Sequence, residues 1–175
     1  MQTWQKTHAK HSLIGTGNPD LLDLPMTAFF ASRQCPGVAI RAAMDWALRQ
    51  AGAKAVVVSG FHSPLEQSVL KVLLQARSPV VVVLARPVSG AKLPQQWAEP
   101  LNNGIMAVVS TRQAAHRLTG VLASSRNQDV AQLAIGIVVA HATPGGALAN
   151  AVAQWRTQFS LESSHSRLQI LNVTT

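Results

Sequence analysis

The chain has 175 residues, 47% of them hydrophobic, which suits one domain whose core needs no disulfide or metal to hold it. Its single cysteine, Cys35, excludes an intramolecular disulfide and fits a reducing compartment. Lys and Arg total 15 against 7 acids, a net charge of +8, so polyanionic partners are favoured and a mechanism built on paired carboxylates finds no motif.

The polar segment 1–26 reads as an irregular N-terminal arm, followed by one domain over 27–175. Thr27 to Ala31 is a first strand, and Gly37 to Ala51 a helix with an apolar face through Val38, Ala42, Trp46 and Ala47 or Leu48, stopped by Gly52. Lys54 to Val58 is a second strand. Ser63 caps the next helix, Pro64 opens its first turn, and it runs to about Ala76. Pro79 to Ala85 is a third strand without polar alternation, so both its faces should be covered, as in a parallel sheet.

A short helix follows over Pro94 to Asn102, then a fourth strand over Gly104 to Ser110. Helices are expected over Gln113 to Ser124 and Asn127 to Ala134, and a fifth strand over Ile135 to Ala140. Pro144-Gly145-Gly146 turns into a helix ending near Gln158, and Leu168 to Asn172 is a sixth strand. Strand and helix alternating with short connections predict a three-layer Rossmann-like α/β domain, a mostly parallel sheet flanked by helices. No apolar run approaches the roughly 20 residues of a membrane-spanning helix, and the N-terminus lacks the apolar stretch of a signal peptide. The expected location is cytoplasmic, without a membrane partner.

In such a sheet ligands bind beyond the carboxyl ends of the strands. The residues there are Ser32, Arg33 and Cys35 after the first strand, Ser59, Gly60 and His62 after the second, and Arg86 after the third. Ser110 to Arg112 follow the fourth, and His141 to Gly146 the fifth. Hydroxyls, glycines and arginines are phosphate-binding types. Helices starting near Gly37, Ser63 and Gly145 aim their N-termini at the same edge, where free N–H groups favour anions. Ten of the fifteen cations are arginines, whose fork suits phosphate. Cys35 lies near a helix start, a position that can lower a thiol pKa.

There is no CxxC or HExxH, no GxGxxG, and no GxxxxGK[ST]; no metal and no cofactor is expected. Trp4 and Trp97 are candidates for base stacking. Trp46 and Trp155 sit in helical patterns as core or as an interface, which leaves homo-oligomerisation open.

These pieces resemble a known family. Ala31-Ser32-Arg33 looks like the G-S-R after the first strand of the DprA/Smf DNA-processing proteins, and Val58-Ser59-Gly60 like their V-S-G after the second. Gly104 matches a glycine before their fourth strand, and Arg126-Asn127 an R-N at a helix start. The resemblance spans about Gly17 to Trp155. It implies a pocket for the phosphates of a nucleotide or single-stranded nucleic acid, lined by Ser32, Arg33, Ser59, Gly60, Arg126 and Asn127. In DprA this surface binds single-stranded DNA, and the protein dimerises and loads a recombinase. Arg86, Gly145 and Gly146 complete the expected phosphate site. The family's G-I-D is replaced by Phe61-His62-Ser63-Pro64.

Pro144-Gly145-Gly146 is also similar to the P-G-G-x-G-T-x-x-E of the LOG phosphoribohydrolases, but continues Ala147-Leu148-Ala149 without that family's catalytic glutamate. A binding domain is the first reading and catalytic residues stay unassigned. The alternative is a nucleotide- or nucleoside-monophosphate-processing enzyme, or a small-ligand sensor, of LOG-like type.

Overall fold

The computed structural model describes residues 2–112, 120–160 and 167–171. Its strands are β1 (Trp4–His8), β2 (His11–Gly17), β3 (Met26–Phe30), β4 (Val56–Ser59), β5 (Val80–Val83), β6 (Met106–Ser110), β7 (Gly136–Val139) and β8 (Leu168–Ile170). Its helices are α1 (Gly37–Ala53), α2 (Pro64–Gln75), α3 (Ala98–Asn102), α4 (Gly120–Leu133) and α5 (Ala147–Ser160). Among the described residues they build one eight-stranded sheet in the order β1-β2-β6-β5-β4-β3-β7-β8. The six strands from β6 to β8 run parallel, and the β1–β2 hairpin joins antiparallel at the β6 edge. This is the expected α/β architecture with a mostly parallel sheet.

The chain steps from β3 through β4 and β5 to β6, then crosses back to place β7 on the other side of β3. Helices α1 and α2 therefore cover one face of the sheet and α4 and α5 the other. The reversal makes a crevice between the carboxyl ends of β3 and β7, the position where open α/β sheets take ligands. The central strand shows the layering residue by residue. Consecutive side chains of a strand point to opposite faces. Phe29 stacks on Trp46 of α1 at 4.9 Å between ring centroids, and Phe30 meets Trp155 of α5 at 4.8 Å on the far side. Trp46 and Trp155 are thus core residues, fully enclosed within the chain. The four valines of β5 are buried on both faces, as their unbroken run implies.

Several expectations need correction. Segment 2–26 is not irregular: it forms the hairpin and a 3-10 turn over Pro19–Asp23 that buries Leu21 and Leu22. Its strands read as polar because β1 is an edge strand with no fully buried residue. Trp4 is not free to stack on a base. Its ring lies over Gly15, and its Nε1 donates to the Gly17 carbonyl at 2.9 Å. Trp97 is half-buried against the α1–α2 layer.

The buried face of α1 is Ala39, Ala43, Trp46, Ala47 and Ala51, while Val38 and Leu48 are each 61% exposed. The helix runs past Gly52 and is closed by Lys54 in the left-handed region, φ 52°. Arg126 and Asn127 stand in the middle of α4, one continuous helix, rather than at a helix start. The part of the expected Gln113–Ser124 helix before residue 120 lies outside the described residues, as does Asn172.

Candidate functional site

Two loops meet across the crevice. The Ser32 N–H donates to the His141 carbonyl at 2.9 Å, and the Ser32 hydroxyl accepts from the Thr143 N–H at 2.8 Å. One residue after β3 thereby fixes the turn that carries Gly145, with φ +74°, and Gly146. Cys35 folds back in the same loop, its Sγ donating to the Ser32 carbonyl at 3.2 Å. Burial raises the Cys35 thiol pKa, and the Glu66 charge adds to the effect.

Beside this junction is a cavity of about 410 Å³. It is lined by Arg33, His62, Ser63, Glu66, Arg126 and Asn127, among others. Glu66 lies on α2 and is 6% exposed. Its Oε1 accepts from the Ala31 N–H at 3.1 Å, and its Oε2 from the N–H groups of His62 at 2.7 Å and Ser63 at 3.1 Å. The Ser63 hydroxyl accepts in return from the Glu66 N–H, which completes a capping box. One carboxylate thus ties the end of β3 to the β4–α2 turn. Burial raises its pKa, and the three backbone bonds and the Arg126 charge oppose that rise.

At the α2 N-terminus the N–H groups of His62, Ser63 and Glu66 are thus engaged within the turn, which leaves fewer donors for an anion there than the bare helix start implies. The start of α1 differs: Pro36 precedes it and supplies no side-chain cap.

Arg126 reaches from α4 across the sheet edge to the β4–α2 turn. A Cβ on Gly60 would sit 2.6 Å from Arg126 Nε and 2.7 Å from Cζ, so the guanidinium rests on bare backbone. Its Nη2 donates to Asn127 Oδ1 at 3.1 Å, while the buried Nε has no hydrogen-bond partner among the described residues. Burial lowers the guanidinium pKa from its usual value, and the nearby Glu66 charge opposes this.

Of the nine expected phosphate-site residues, Arg33, Arg126 and Asn127 line the cavity. Gly60 seats Arg126, and Ser32 clamps the loops. Ser59 is fully buried, its hydroxyl accepting from the Phe61 N–H within the turn. Gly145 and Gly146 stand in the turn before α5 and are absent from the cavity lining. Arg86 is exposed after β5, outside the cavity lining, with Nη2 on the Lys92 carbonyl. Sequence reasoning missed Glu66, although Ser63-x-x-Glu66 is a capping-box signature.

A larger groove of about 910 Å³ runs along α2, between Leu74 and Trp97, and contains none of the nine. Among the described residues no cluster of three His, Cys, Asp or Glu could hold a metal ion.

The family model described as DNA recombination-mediator protein A matches residues 2–161. Two solved structures of DNA processing protein A are similar in fold. That from Helicobacter pylori, studied for its single-stranded DNA binding mode, superposes with a TM-score of 0.72 at 15% identity, covering 97% of this chain and 79% of its own. That from Streptococcus pneumoniae has a TM-score of 0.63 at 21% identity over 82% of this chain. This chain spans about half, 52%, of the pneumococcal protein. No curated protein sequence matches the chain.

Proposed function

Because the chain belongs to the DNA recombination-mediator protein A family, we propose that it binds single-stranded DNA, with backbone phosphates held at the β3–β7 crevice. The observation that carries this reading is the Arg126 guanidinium, set over Gly60 and lining the same cavity as Arg33. Arg33 is exposed and supplies a free fork to a phosphate. Asn127 orients Arg126 through its Oδ1. The first N–H groups of α1, at Gly37 and Val38, and the Gly145 N–H offer backbone donors to neighbouring phosphates, while the Gly146 N–H closes its own turn on the Thr143 carbonyl. The surplus of +8 strengthens attraction to any polyphosphate chain.

A cavity of about 410 Å³ is also of small-ligand size. Recognition of a lone nucleotide, by a sensor or a LOG-like nucleotide-processing enzyme, is therefore the second reading. Glu66 weighs against catalysis, since both its oxygens are engaged by backbone N–H groups.

The test is a titration of fluorescent oligothymidylates of several lengths, with a mononucleotide competitor. The first reading expects affinity that grows with length and falls steeply with salt. Length-independent binding that a mononucleotide abolishes supports the second. Release of free base from a nucleoside monophosphate would establish the enzyme.

A further inference from the structure

The β1–β2 hairpin reaches the same edge of the sheet as the cavity. Strand β2 runs antiparallel to β6 with Ile14 opposite Ser110, the last residue of β6. Residues His11 to Leu13 therefore continue past the carboxyl end of the parallel strands, by roughly 10 Å at about 3.4 Å per residue. The turn beyond them, Ala9-Lys10, is exposed, with φ 47° and 67°. It carries Lys10 at its tip, flanked by the paired His8 and His11.

From this tip, the sheet order places a cation at each successive strand end. Arg112 follows β6, Arg86 follows β5, Arg126 lies over Gly60 at the end of β4, and Arg33 follows β3. The acids among them are accounted for. Asp129 pairs with Arg112 at 3.8 Å and accepts from the Thr111 hydroxyl, and Glu66 lies buried beside Arg126. Lys10, Arg86 and Arg33 remain exposed.

We propose that this row is a track for a single nucleic-acid strand, and that the hairpin tip is a second phosphate contact distinct from the cavity. The proposal rests on the DNA-binding reading above and extends it by giving the strand a path and an extent. Strands are about 4.8 Å apart, so four steps from β2 to β3 span about 19 Å. At about 3.4 Å per stacked nucleotide that is five to six nucleotides. A shorter oligomer fills the cavity without reaching Lys10.

The test compares oligothymidylates of about 4 and about 12 nucleotides on the full chain. Lys10→Glu is expected to weaken the longer one about fivefold and leave the shorter within about twofold. Lys10→Ala should make the salt dependence of the longer one shallower by about 0.7 in log–log slope. Lys71→Glu, the same charge change on the exposed side of α2, should change neither. Equal loss for both lengths, an unchanged long oligomer, or the same loss with Lys71→Glu would overturn the track. Wild-type protein that binds neither length would instead remove the DNA-binding reading itself.

Discussion

Arg126 of α4 lies against Gly60 at the end of β4, so close that a methyl on Gly60 would stand 2.6 Å from the guanidinium Nε. Gly60 has no positive φ, so alanine suits the backbone there and acts only by displacing Arg126. Gly60→Ala is expected to cost under about 1 kcal/mol of stability, because the clashing atoms end a flexible side chain. It should nonetheless weaken oligonucleotide binding as much as Arg126→Ala does. Anisotropy and thermal melts on both variants check this. A Gly60→Ala protein that binds like wild type would show that the seating of Arg126 is irrelevant to the ligand.

Glu66 bridges the end of β3 and the β4–α2 turn through three backbone N–H groups. Glu66→Ala leaves those donors without their acceptor and should destabilise by about 2–4 kcal/mol, measured by urea unfolding. A change under about 1 kcal/mol would mean that water replaces the carboxylate.

The same residue sets a pH dependence. Its folded pKa is raised above the ordinary value of 4.5, chiefly by burial. The folded state then holds this proton more tightly than the unfolded state. The Glu66 contribution is most favourable below 4.5 and declines as pH rises through the raised value. Glu66→Gln should remove that component of the stability–pH curve above 4.5. Superimposable slopes for the two proteins would contradict the assignment.

Ser32 joins the two loops of the crevice through the Thr143 N–H. Ser32→Ala should cost about 1 kcal/mol and speed hydrogen exchange at Thr143, because the bond is exposed to solvent once loosened. Unchanged exchange would show that the Gly145-Gly146 turn holds its shape without Ser32.

Trp155 is fully buried against Phe30 and donates from Nε1 to Gln128 at 2.9 Å. Trp155→Ala should lose about 3–5 kcal/mol in denaturant unfolding. A nearly neutral effect would return Trp155 to the role of an interface residue.

The strands from β3 to β7 were legible because short apolar runs between turn residues, valine-rich from β4 onward, admit one reading, and each falls within about two residues of its expected bounds. The hairpin was not. Its edge strand buries one face only partly, its turn is Ala9-Lys10 rather than an Asn-Gly pair, and the Trp4 indole is satisfied by a carbonyl thirteen residues away. Reading α1 from Val38 placed the first two turns of its apolar face one residue off, since Ala39 and Ala43 carry the buried stripe there, while Trp46 and Ala47 are buried as read. At the site, Arg33 and Arg126 could be named from sequence, but their proximity could not. It depends on α4 crossing to the opposite face of the sheet and on a glycine that admits a guanidinium.

The most direct test of the central claim is the affinity of Arg33→Ala and Arg126→Ala for a long oligothymidylate at physiological salt. A cavity that holds backbone phosphates predicts at least a roughly tenfold loss for each, about 1.4 kcal/mol, with the folded state intact by circular dichroism. Wild-type affinity in both variants would contradict it and place DNA, if bound at all, elsewhere on the chain.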